Sequence, residues 1–457
     1  MPTPPPPFVP APASPSRPAG GLGTLVLAVG LALSCLAGWP GQAQAGTIFT
    51  PSISVGMGYD DNVRLQRNPR ADSFVQVRPA VSLETGRPSN KLILQAKAAM
   101  EYYRRLDQFN GFRSGDVSAR WNYAPSQRWN FEVANTFSSS YDQAEFFDTG
   151  ELARVRDDTG RRDRNTTSLR SAYAWGPHSH LDLGYSYSII SNESESQENA
   201  VYHTATLGLV QRLATDYRGE VSLSGSHDDY ERTVDVERAT VDARLVRMFG
   251  PTSEGFVGAT GSTTRAITDD PARRRARDYD TYGGQVGYKH SFSPRLTAEA
   301  VAGWTIVEGE SSSNSASGKG YPTGRVSLTY RQQRWRAMAY ARASLEESQA
   351  QGDNTGLVDR RSAGVMLDMD LAQHWSMQLN ADYINDDYKQ NPQSAGTVGR
   401  GDVDAVRLGG VLNYHLARHW RLSLDYRYLN RDSEDDTDDR SQNRVLFLVT
   451  TEYPWRW

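Results

Sequence analysis

Cysteine is nearly missing: Cys35 is the one thiol in 457 residues. It falls inside an N-terminal segment that reads as cleaved, which leaves the rest of the chain without disulfides or thiol chemistry. Apolar residues are also scarce. Only 38% of the residues are hydrophobic, against roughly 45–50% in soluble globular chains, so several separate water-soluble cores are not available. No apolar run after residue 46 approaches the ~20 residues that a membrane-crossing helix demands. Charge of one sign is not in excess either: 50 Lys and Arg face 54 Asp and Glu, a net −4, which speaks against a general nucleic-acid binder. Disorder is opposed by the 10% aromatic content, since disordered chains are poor in aromatics. What remains is a chain that hides its apolar residues one position in two.

The first 16 residues are Pro-rich and uncharged; Arg17 then precedes an apolar stretch from Leu22 to Leu36, the breaker Trp39-Pro40-Gly41 and the small-residue site Ala43-Gln44-Ala45. This order predicts a secretory signal peptide over 1–45, cut before Gly46, and a mature chain of 46–457. Bulky Leu33 makes Ala32-Leu33-Ser34-Cys35 a poor acylation site. With Arg17 removed, 49 basic residues face 54 acidic ones.

From Ser52 onward, large apolar residues recur at every second position, the period of a strand with two unlike faces. Val75, Val77, Val81 and Leu83 form one oily parity; Gln76, Arg78, Ser82 and Glu84 form its wet counterpart. The same alternation runs through Trp129–Phe137, Leu181–Ile189, Val365–Leu371 and Leu422–Tyr428. Short turns alternate with long polar loops along the chain. Nine turns and ten loops predict twenty antiparallel strands, or eighteen or sixteen if the Gly-rich stretch Glu254–Arg265 is misdrawn. The fold class is therefore all-β, a transmembrane up-and-down β-barrel of the bacterial outer membrane, with the turns and both termini in the periplasm and the loops outside. A soluble sandwich or propeller is the alternative, and it would need a continuous inner core.

Basic–aromatic pairs open several hairpins. Trp129, Trp335, Trp375 and Trp420 each begin a predicted strand, where they would form an aromatic girdle at one membrane interface, with Tyr102, Tyr187, Tyr383 and Tyr428 at the other rim. The last strand keeps its period through Tyr453, Trp455 and Trp457 to a terminal aromatic. That ending is similar to the strand by which outer-membrane barrels are recognised by the barrel assembly machinery. Pro454 interrupts it near the end, where one lost ladder donor costs least.

Twenty strands enclose a cylinder roughly 40 Å across, too wide for side chains alone to fill. On the lumen parity, Arg325 and Arg331 lie on one strand and Arg336 and Arg342 on the next; Asp368, Asp370 and Asp382 follow on the two strands after that. Such a stripe favours anionic or polar solutes, or else forms wall ion pairs that only satisfy the charges. Tyr103 and Tyr340 share the inward parity and are placed to stack on sugar rings. The acidic run Asp432–Asp439 has no Gly-containing metal-loop spacing, so no metal site is expected. Arg273, Arg274, Arg275 and Arg277 suggest contact with lipopolysaccharide phosphates or an acidic polymer. None of the eight histidines shows a Ser or Asp partner across a predicted strand pair, which argues against an enzyme.

With Gly58-Tyr59-Asp60-Asp61-Asn62-Val63 after the first strand, ten hairpins and the terminal aromatic, the mature chain resembles the putative β-barrel porin family found beside bacterial exopolysaccharide gene clusters. The resemblance implies an outer-membrane conduit that works with a periplasmic polysaccharide export protein and an inner-membrane polymerisation system. A general diffusion porin for small polar or anionic solutes is the other functional expectation. Outer-membrane lipid and lipopolysaccharide are the expected surroundings; no cofactor and no nucleic-acid partner are expected.

Overall fold

Alternation of branched or aromatic residues with Ser, Thr, Gly and charged residues leaves each segment half oily and half wet, and pairing such segments edge to edge is the only way to satisfy their backbones. The computed structural model describes residues 46–141, 160–193, 198–268, 278–309, 318–348, 356–388, 402–434 and 439–456. The strands are β1 (Ile48–Asp60), β2 (Asp72–Arg87), β3 (Asn90–Tyr103), β4 (Gly111–Tyr123), β5 (Trp129–Ser140), β6 (Arg162–Gly176), β7 (Ser179–Asn192), β8 (Ala200–Arg212), β9 (Tyr217–Tyr230) and β10 (Asp235–Met248). They continue as β11 (Ser253–Ile267), β12 (Tyr279–Ser291), β13 (Leu296–Gly309), β14 (Gly320–Arg331), β15 (Trp335–Ser348), β16 (Gly356–Ala372), β17 (Trp375–Tyr388), β18 (Val403–Ala417), β19 (Trp420–Ser433), β20 (Arg440–Glu452) and the two-residue β21 (Trp455–Arg456). Each strand pairs antiparallel with the next, and β1 pairs with both β2 and β20: Val55 stands opposite Val77 on one side and Val449 on the other. The sheet is thus a closed barrel of twenty strands, with β21 continuing β20 beyond Pro454. No described helix is long and apolar enough to cross a membrane. The expected signal peptide, 1–45, lies outside the described residues, as do Arg273–Arg277, most of Glu310–Lys319, the middle of the acidic run, and Trp457.

The even count and the nine-turn, ten-loop alternation agree with the sequence reading. Glu254–Arg265 is fully paired on both sides as part of β11. Both ends of the barrel chain lie at the short-turn end, because Ile48 pairs with Glu84 near the first turn and with Arg456 near the last residue. Register shifts at Ala174/Gly176, Asp370/Ala372 and His415/Ala417 put three bulges directly before short turns, where the periodicity gave no hint of them.

The outer face is apolar, with Met57 68% exposed and Val286 57% exposed. On β10 this band runs from Glu237 to Arg247 through Ala239, Val241, Ala243 and Leu245. Ten residues at ~3.4 Å rise and the usual tilt of about 40° span roughly 26 Å, the height of a lipid-facing band.

The inner face changes along the axis. On β3, Gln95 and Lys97 are exposed, whereas Ala99, Glu101 and Tyr103 are buried toward the long loops. On β16, Met366 and Asp370 are exposed, whereas Val358, Arg360 and Ser362 are buried. Packed clusters account for the burial, among them Val63, Phe74, Tyr103, Leu446 and Leu448 at the β1–β20 seam, and Tyr279, Val307, Tyr321 and Leu357 across β12–β16. On these strands side chains at the long-loop end are therefore packed and those of the short-turn half face water, whereas Val246 on β10 and Thr450 on β20 are buried in the short-turn half.

Candidate functional site: the inner face of the barrel

The four arginines occupy the inner face of two adjacent strands, since the outward parity of β14 belongs to Val326 and Leu328. Arg325 stands directly opposite Arg342, and Arg331 opposite Arg336. Their surroundings differ. Arg325 is held by the Glu299 carboxylate and Arg342 by Glu346 at 2.7 Å. Arg331 and Arg336 have no carboxylate partner among the described residues, although Asp368 faces Arg336 in register. These two guanidiniums lie at the short-turn rim, in the exposed half of the lumen.

Asp368 and Asp370 also point inward on β16, but Asp382 on β17 is engaged elsewhere. Arg407 on β18 holds one of its carboxylate oxygens at 2.6 Å, and the Tyr340 hydroxyl donates to the other at 2.7 Å. Asp382 therefore does not act as a free acid facing the arginine stripe, and Tyr340 is tied to the wall by its hydroxyl. A direct acceptor two strands away was invisible to strand parity alone.

Tyr103 faces inward and is 5% exposed, which removes it from the water-facing surface. It belongs to a buried network at the seam. Its hydroxyl donates to Glu101 Oε2 at 2.5 Å, Gln76 Nε2 donates to Oε1 at 2.5 Å, and Arg444 also binds Oε1. Arg444 reaches on to Asp60, whose two oxygens accept from Gln442 Nε2 at 3.0 and 2.9 Å. Two carboxylates sharing buried arginines are neutralised in place, as buried charge requires.

The Asp60-Asp61-Asn62-Val63 string acts on the same seam. Asp61 accepts from the backbone N and the Nδ2 of Asn443 at 2.6 and 2.8 Å. Asn62 Nδ2 donates to Gln66 O and Ser441 O, while its Oδ1 accepts from Gln66 N. Val63 is fully buried against inward side chains of β2, β3 and β20. The string thus folds the β1–β2 loop inward and fastens the first strand to the last.

A second water-facing feature escaped the sequence reading. Thr206, Ser224, Thr240, Ser262 and Thr281 lie side by side on β8 to β12, each directly opposite the next. At ~4.8 Å between strands this is a row of hydroxyls about 19 Å long. Every member is at least partly exposed. The signal was available as five inward Ser or Thr positions, but their alignment depends on register, which one strand does not reveal.

The expected girdle residues sit at the first positions of β5, β15, β17 and β19, all on the outer face at the short-turn rim. Tyrosines pack against three of them: Tyr173 against Trp129 at 4.6 Å, Tyr330 against Trp335 at 4.6 Å and Tyr414 against Trp375 at 4.7 Å. On the C-terminal segment Tyr453 stacks on His419 at 4.8 Å, and Trp455 meets Phe49 at 5.6 Å. One expectation is corrected here. Ser253 Oγ and His290 Nδ1 do form a pair, at 2.6 Å across β11 and β12. The ring lies on the outer face between Tyr288 and Phe292, and among the described residues no carboxylate orients it. Among the described residues no three His, Cys, Asp or Glu side chains are grouped to hold a metal ion.

Comparison with solved structures finds barrels. The chain resembles the "Copper transporter OprC" with a TM-score of 0.54 at 9% identity, covering 90% of this chain and 80% of that one. It resembles the siderophore receptor PiuA from Acinetobacter baumannii with a TM-score of 0.50 at 8% identity, covering 90% and 82%. At such identity the likeness is one of fold. No protein of curated function matches the sequence. Residues 41–453 match the family described as "Putative beta-barrel porin 2", and the chain, an outer-membrane β-barrel, belongs to that family.

Proposed function

We propose that this barrel passes an acidic polysaccharide across the outer membrane and takes part in exopolysaccharide secretion. The observation that carries the reading is the two-sided wet half of the lumen. A hydroxyl row on β8–β12 offers exchangeable hydrogen bonds to sugar hydroxyls, and the Arg331–Arg336 pair offers fixed positive charge to carboxylate or phosphate substituents. The resemblance to porins encoded beside exopolysaccharide clusters points the same way. In this reading the short turns and both termini face the periplasm, where the open half of the lumen would meet a polysaccharide export protein. The tryptophans would anchor the inner-leaflet interface, and Tyr453, Trp455 and Trp457 would engage the assembly machinery. Lipid and lipopolysaccharide would surround the wall. The likeness to OprC and PiuA brings neither copper nor siderophores with it. The test is deletion of the gene with quantitation of surface polysaccharide. Loss of polymer, restored by the wild-type gene and not by a chain bearing Arg331→Glu and Arg336→Glu, is the expected result. Unchanged polymer with lost permeability to small solutes would replace this reading with a general diffusion porin.

A further inference from the structure

The outer face of the barrel carries a polar island at the depth of the lipid tails. Asn135 on β5 faces outward between Val133 and Phe137, and it stands directly opposite Thr167 on β6. Asn165, the next outward residue of β6, stands opposite Phe137 on one side and Ile189 on the other. Asn135 Nδ2 donates to Asn165 Oδ1 and to Thr167 Oγ1, both at 2.8 Å. Trp129 marks the short-turn interface on the same strand. Six residues at ~3.4 Å and a tilt of about 40° put Asn135 roughly 16 Å above it, well inside a band of ~25 Å. Amides facing hydrocarbon are costly unless they find partners, and hydrogen bonds between such groups draw membrane-embedded chains together.

The internal bonds leave a specific remainder. Both Asn135 amide hydrogens are used, while its Oδ1 accepts nothing and the Asn165 Nδ2 donates nothing among the described residues. One free acceptor and one free donor on adjacent strands form a self-complementary pair. A second copy related by a two-fold axis would present its Asn165 Nδ2 to Asn135 Oδ1, and the reverse bond would form at the same time, as an isologous contact demands. Beside the island a shallow groove of about 750 Å³ runs over β5–β9, and Val133, Leu169, Leu183 and Tyr185 line its outer side. It continues the same face with an apolar surface into which side chains of a mate can pack.

We infer that the β5–β6 face, centred on Asn135 and Asn165, is where two copies of this barrel associate side by side in the membrane. The described residues contain no cysteine, so a single introduced thiol reports contact cleanly. Leu169→Cys lies on the proposed face and Val286→Cys on β12 serves as the distant control, both outward and exposed. Oxidation of intact outer membranes should link Leu169→Cys into a dimer of this chain and leave Val286→Cys monomeric. Adding Asn135→Leu and Asn165→Leu should cut the linked fraction at least tenfold, while the heat-dependent gel shift shows that the barrel still folds. The sign of the stability change gives a second readout. Leucine on a lipid-exposed wall raises the melting temperature, whereas leucine in this contact lowers the temperature at which dimers separate. The inference is overturned by equal linking at both positions, by linking to a different protein, or by dimers that persist in the double-leucine chain.

Discussion

Asn62 shows how a short polar string works in a closed sheet. Its side chain satisfies the amide and carbonyl of Gln66 and the carbonyl of Ser441, and it is only 2% exposed. Asn62→Ala would leave buried backbone groups unpaired, at a cost of about 1–3 kcal/mol. Tryptophan fluorescence in a urea titration of the detergent-folded protein should show an earlier midpoint of that size. Arg444→Met should cost more, roughly 3–5 kcal/mol, because two buried carboxylates, Asp60 and Glu101, would lose their shared cation. An unchanged midpoint in either variant would deny the seam its role. At this scale the sequence displayed the string but not its partners. Asp61 and Asn443 are 382 residues apart, and only closure of the ring brings them together. Parity alone places Tyr103 and Asp382 on the inward face, yet their burial and bonding depend on residues from other strands.

Among the elements, β11 and β12 are the test of how far strand propensity reaches. Gly255, Gly258 and Gly261 lie on β11 and Gly283, Gly284 and Gly287 on its neighbour β12, a composition that weakens strands. Aromatic cover explains their pairing. The Phe256 ring lies over Gly287, directly opposite in register, and Arg244 of β10 lies 5.4 Å from the centre of that ring. Three strands are thereby joined by one side chain filling the space that a glycine leaves, a known remedy for Gly-rich edges. A Cβ at position 287 would overlap the ring. Gly287→Val should therefore destabilise the barrel by about 1–3 kcal/mol through overpacking. Gly284→Val on the same strand has no atom within 4 Å of its new Cβ and should be tolerated. Thermal gel-shift midpoints for the two variants measure the contrast, and equal behaviour would mean that Phe256 is not the clasp. The strand count was legible because turns and loops alternate in length. The ring-over-glycine pairs and the bulges before the turns were not, because both are consequences of register.

For the whole molecule, the axial difference in packing decides which charges a solute meets. Near the long loops the buried Arg360 is bound to Asp386 at 2.6 Å and Arg444 to Asp60 and Glu101, so these charges contribute little net field. In the open half, Arg325 and Arg342 are also neutralised by Glu299 and Glu346, which leaves Arg331 and Arg336 as the main fixed positive charges of the stripe. Strand parity alone does not rank these four, because all share it; their neighbours across β13 and within β15 make the distinction. Reversal potentials in a planar bilayer under a salt gradient can read it. Arg331→Glu with Arg336→Glu should move the pore clearly toward cations. Arg325→Gln with Arg342→Gln should move it less, since it removes two positive charges without adding the two negative ones that the glutamate substitutions bring. The first shift must also fade with salt, because the Debye length falls from about 10 Å at 0.1 M to about 3 Å at 1 M, shorter than the distance from the wall to the axis of a tube this wide. A shift of equal size for both pairs, or one indifferent to salt, would mean that ions do not sample the rim where Arg331 and Arg336 stand, and that the open half of the lumen is not the conducting path.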